Sequence, residues 1–105
     1  MKVAITSTGN TIGDKVDARF GRCNYFAIYD TESQETEFIN NPYKEVDEGA
    51  GPGCVRLIAS FEVKKAVAGE FGMKIKSLMN ETGIQMITMK EEKTIGEIIS
   101  LLKHE

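Results

Sequence analysis

The chain has 105 residues, 41% of them hydrophobic and 28% charged, and carries a net charge of −3 at pH 7. That length suits one domain, spanning residues 1–105, that buries roughly two-thirds of its unfolded surface, and the composition is that of a globular protein rather than a disordered one. The first 52 residues carry five basic and nine acidic side chains and the remainder eight and seven, so there is no basic stripe for a phosphate backbone and nucleic acid is not an expected partner.

Lys2 to Thr6, rich in Val, Ala and Ile, reads as a first strand. The terminus runs straight into it without a signal-peptide pattern, and no apolar run is long enough for a membrane span. The expected location is therefore the cytoplasm, with no membrane partner. Ser7 to Gly13 is a polar, glycine-bearing loop. Tyr25 to Asp30 is a second strand and Glu35 to Asn40 a third, joined by a polar turn as a hairpin.

Asn41-Pro42 opens an acidic loop that ends in Gly49-Ala50-Gly51-Pro52-Gly53-Cys54. Beyond it the period changes. Val55, Ile58 and Ala59 fall at helical spacing and place a first helix after the glycines. Lys65 to Ala68 is a short strand. Ile75, Leu78 and Met79 mark a second helix closed by Gly83, and Ile84 to Met89 a fifth strand. Thr94 and Glu97 match a capping box for a last helix through Ile95, Ile98, Ile99 and Leu102.

The order β-β-β-α-β-α-β-α predicts a three-layer α/β/α fold. Right-handed crossovers make the later strands parallel, and the hairpin makes strand 2 antiparallel. The simplest sheet has order 3-2-1-4-5. It brings residues 7–23, 41–53 and 69–72 to one edge, where the chain leaves the central strand in two directions, and open α/β sheets bind ligands at such a point.

Both cysteines fall on that edge. Cys54 after the glycines reads either as a small core residue or as an anionic ligand whose thiol pKa is lowered by a helix N-terminus. Cys23 reads as core or, beside Arg19 and Arg22, as a thiolate offset by guanidinium charge. Either arginine could instead pair with Asp14, Asp17 or Glu48. Gly49, Gly51 and Gly53 leave the backbone open to a bulky anion, but P-loop and dinucleotide spacings are missing, which disfavours a nucleotide. Without Cys-x-x-Cys spacing a thiol-redox protein is disfavoured as well. The five methionines read as packing residues, and His104 as a surface residue at the frayed terminus.

The segments MKVAITSTGN, DARFGRCNYFAIYD, NNP, GAGPGCVRLIA and AVAGEFG…LMNETGIQMI, in that order, resemble the dinitrogenase iron–molybdenum cofactor biosynthesis family, the nitrogenase accessory and cofactor-carrier proteins. Arg19–Arg22 and Gly49–Gly51 carry its most specific motifs. The resemblance implies a ribonuclease-H-like fold and a carrier for an iron- or molybdenum-containing metal–sulfur cofactor or precursor, not an enzyme. Two departures stand out. Met73-Lys74 occupies a position where the family often shows Pro-Asn, and Asp47-Glu48 a place where histidine is frequent.

On this reading Cys23 and Cys54 supply thiolates, Arg19 and Arg22 positive charge, and the backbone of Gly49, Gly51 and Gly53 hydrogen bonds. Two thiolates do not complete a four-cysteine shell, so the cargo brings sulfide ligands or a second subunit contributes. Cofactor-assembly or recipient proteins are the implied partners, and the chain is expected as a monomer or weak homodimer. A nuclease on the same fold is rejected because the first strand carries no carboxylate for two-metal hydrolysis. The alternative function is a metal-free regulatory or protein-interaction domain.

Overall fold

The structure, a computed structural model, describes residues 1–104. The elements are β1 (Lys2–Ser7), β2 (Tyr25–Asp30), β3 (Thr36–Asn40), α1 (Ala50–Ser60), β4 (Val63–Ala68), α2 (Met73–Thr82), β5 (Gln85–Thr88) and α3 (Ile95–Lys103). They form one sheet of order β3-β2-β1-β4-β5, as the sequence predicts. β2 runs antiparallel to both β1 and β3, while β4 is parallel to β1 and β5.

Strand alternation divides the interior into two cores. Ala4, Phe26, Ile28, Ala66 and Ala68 face α1 and α2, where Val55, Ile58, Ile75 and Met79 meet them. Their neighbours Val3, Ile5, Ala27, Tyr29 and Val67 face α3, covered by Ile95, Ile98, Ile99 and Leu102. A register shift at the start of the β1–β4 pairing lets Val63 join the α1 side despite its odd number. Phe20, in the long β1–β2 loop, plugs the first core, its ring 5.6 Å from that of Phe26 and 5.5 Å from that of Phe71.

One boundary matters for the site. α1 begins at Ala50, not after the glycines, so Cys54 is the fifth residue of the helix. Glycine and proline are poor helix formers, which hid this turn from a periodicity reading. Here Pro52 sits in the first turn, where the missing N–H costs nothing. Gly51 and Gly53 are explained by contact rather than by flexibility, since a side chain at either would displace a neighbour. A Cβ on Gly51 would lie 2.1 Å from Ile75 Cδ1, and one on Gly53 would lie 2.6 Å from the Tyr43 ring.

Candidate functional site: a cleft where two helices begin

β1, β3 and β4 run the same way and end at the same edge, so α1 and α2, which follow β3 and β4, both begin near it, and β2 starts there. Loop 8–24 is fastened across this edge. Thr6 Oγ1 donates to Asp17 O at 2.7 Å, Asp17 N to Thr6 O at 3.0 Å, and Glu70 N to Ala18 O at 2.7 Å. The result is a cleft of about 660 Å³ walled by Arg22, Asp47, Glu48, Gly49, Gly51 and Lys74, among others.

Both helix starts are bare. α1 is preceded by Gly49 at φ 78° and α2 by Gly72, and neither has a side-chain cap or an acidic residue in its first turn. The first N–H groups of each helix have no intrahelical partner, and each helix dipole presents its positive end. At α1, the N–H groups of Gly49, Ala50 and Gly51 have no hydrogen-bond partner among the described residues. Gly53, expected as a donor, is not one of them, since its N–H donates to Gly49 O at 2.9 Å. This arrangement can hold an anion.

The two arginines part company. Arg19 lies outside the cleft lining; its exposed side chain approaches Asp17 Oδ1 to 3.7 Å, the pairing that the sequence left open as an alternative. Half-buried Arg22 lines the cleft and turns inward at one edge, Nη1 donating to Lys44 O at 3.1 Å and to Val46 O at 2.6 Å. Lys74, which marks a departure from the family pattern, provides the second cation of the cleft. Asp47 and Glu48 stand on the same rim, so the side chains alone are balanced and the helix N-termini supply the excess of positive potential.

Cys23 and Cys54 do share an edge, but both are fully buried in the α1-side core rather than open to the cleft. Asn41, itself buried, sits between them. The Cys54 thiol donates to Asn41 Oδ1 at 3.3 Å, and Asn41 Nδ2 lies 3.9 Å from Cys23 Sγ. Cys54 Sγ also approaches Gly21 O at 3.6 Å.

Burial disfavours the thiolate form of both cysteines. It pushes Cys54 up to about 11, against the smaller downward pulls of Asn41 and Arg22. Cys23 is pushed higher still, by burial first and by its neighbour Cys54 next. Of the two readings of Cys54, the geometry favours the small core residue, because Cys54 lies a turn inside the helix and away from water. Asn41 was legible only as part of an NNP turn. Nothing in its sequence context reveals that it organises the thiols. Met73, expected to pack, is instead 84% exposed at the first residue of α2.

A family model described as dinitrogenase iron–molybdenum cofactor matches residues 1–105. The chain belongs to the dinitrogenase iron–molybdenum cofactor family. Membership makes it a small cofactor-associated protein and agrees with the resemblance carried by its arginine and glycine motifs. An uncharacterized protein of Methanocaldococcus jannaschii is 29% identical over 104 residues, covering 96% of this chain and 84% of the relative. A Thermotoga protein given as a candidate NifB protein is 31% identical with a TM-score of 0.84, over 98% of this chain and 87% of that one. The apo form of the orange protein from Desulfovibrio gigas superposes with a TM-score of 0.90 at 24% identity, over 96% and 85% of the two chains, and shows the shared fold. Among the described residues no helix is long and apolar enough to cross a membrane.

Proposed function

We propose that this protein is a non-catalytic cytoplasmic carrier for an anionic metal–sulfur species, an iron- or molybdenum-containing cofactor or precursor, held in the cleft between α1 and α2. The observation that carries the reading is the convergence of two uncapped helix N-termini on one cleft that also presents Arg22 and Lys74. Family membership points to the cargo's class. No three His, Cys, Asp or Glu side chains converge for a metal ion among the described residues. A cargo that brings its own sulfide ligands therefore fits the cleft better than a bare cation, and ionic capture with few protein ligands suits a species that must be handed on to an assembly or recipient protein.

Anaerobic reconstitution with iron, molybdate and sulfide, followed by desalting and metal analysis, tests this. Wild type should retain metal above a control protein. Arg22→Ala should retain about tenfold less and more salt-sensitively, as for the loss of one charge-assisted contact. Cys54→Ser should retain nearly as much as wild type, because the thiol faces the core. No retention above control sinks the carrier reading and favours the interaction-domain alternative; loss confined to Cys54→Ser would return the thiol to the role of ligand.

A further inference from the structure

We infer that Arg22 is a two-edged positioning residue that couples filling of the cleft to closure of the 41–48 loop over the buried thiols. The inference rests on the reading that the cleft takes an anion.

The loop begins at Asn41, whose Oδ1 accepts from Tyr43 N at 2.9 Å and whose Nδ2 donates to Gly21 O at 3.2 Å and Cys23 O at 2.9 Å. The Tyr43 ring then packs on Gly53, the residue before Cys54. This covers the helical turn that carries the thiol. Past Tyr43 the loop's side-chain anchors are fewer. Lys44 Nζ reaches Asn24 Oδ1 at 3.4 Å on the exposed surface, and Arg22 Nη1 holds the carbonyls of Lys44 and Val46.

A guanidinium has five N–H donors in a rigid plane. Nη1 spends its two on the loop, and among the described residues Nη2 and Nε donate to no protein group. Those two nitrogens form the fork that binds an oxyanion or sulfido edge in bidentate fashion. Arg22 lines the cleft. An anion on that fork fixes the same plane whose opposite edge grips the loop, so occupancy orders the loop and closes the way to Cys54. Linkage makes the effect reciprocal: whatever factor the anion adds to loop closure, closure adds to anion affinity. A lysine at this position could serve one edge at a time, having a single ammonium.

The test combines amide hydrogen exchange of residues 42–48 with alkylation of the two thiols by N-ethylmaleimide, in the full chain, with and without molybdate as the probe anion. Equilibrium dialysis reports whether molybdate binds. In wild type, molybdate should slow loop exchange and alkylation several-fold. Arg22→Ala and Arg22→Gln should speed both without molybdate, with exchange in β1 and β2 unchanged, and molybdate should then have no effect. Arg22→Lys should restore part of the loop protection and none of the molybdate response.

Wild-type rates in both neutral variants overturn the inference. Molybdate that binds wild type without slowing either rate overturns the coupling while leaving the anion site standing. Absence of molybdate binding overturns the anion site and the coupling together, and faster exchange in the variants would then mark only a structural role.

Discussion

The Cys54 thiol donates to the Asn41 side-chain oxygen at 3.3 Å, inside a core where both residues are shielded from water. One amide thereby serves a thiol, the N–H of Tyr43 and the carbonyls of Gly21 and Cys23. It ties the end of β3 to the start of β2 and to α1 at the place where the cleft is built.

Asn41→Ala should therefore destabilise the fold by about 3 kcal/mol, since it strands buried donors and acceptors that each cost about 1–3 kcal/mol when unmade. Urea denaturation of the variant checks this. A loss under 1 kcal/mol would mean that water replaces the amide. Asn41→Asp should be worse, because the carboxylate cannot donate to the two carbonyls and would be a buried charge.

Alkaline pH should weaken the protein through its thiols. The Cys54 thiol titrates at about 11 when folded against an ordinary value of 9.0, so above 9.0 the unfolded chain releases its proton and the folded chain does not. The stabilising effect is fully present below that value and is lost as pH rises towards about 11. Cys23 acts in the same direction. Denaturation midpoints should fall over this range and fall less steeply in Cys54→Ala; identical slopes would show that other groups, lysines or tyrosines, carry the loss.

Close approach of α1 and α2 at Gly51 should be measurable. A Cβ there meets the tip of Ile75, so Gly51→Ala should cost about 1–3 kcal/mol and should be partly rescued by Ile75→Val, which withdraws the δ-methyl. Additive effects in the double variant would place the strain elsewhere.

The acidic rim should act as a brake on cargo affinity. Asp47 and Glu48 share the cleft with Arg22 and Lys74, so Asp47→Asn with Glu48→Gln should raise metal retention by about tenfold at low salt and less at high salt. Reduced retention would recast the carboxylates as direct ligands.

At the far end of the chain, Thr94 Oγ1 accepts from Glu97 N at 3.1 Å and Glu97 Oε1 accepts from Thr94 N at 2.9 Å. Thr94→Ala should cost about 1 kcal/mol in thermal or urea unfolding. An unchanged midpoint would mean that packing of Ile95 and Ile98 alone sets the start of α3.

Sheet order, the antiparallel β2 and the capping box were legible in the sequence because they follow from local period, turn chemistry and the handedness of crossovers. The shared edge of Cys23 and Cys54 followed from the same topology. The start of α1 did not, because Gly51, Pro52 and Gly53 contradict helix propensity, and the two glycines fit there through contacts with Ile75 and Tyr43, outside the helix. That one turn decides between the two readings of Cys54, placing it in the core. Nor could the string distinguish Arg19 from Arg22, two cations three positions apart. Asp17 pairs with exposed Arg19, while the carbonyls of Lys44 and Val46 hold Arg22 in the cleft wall. Residue type and spacing determine which groups reach the functional edge; which of them meet water, and which lose their charge to burial, depends on packing between segments far apart along the chain.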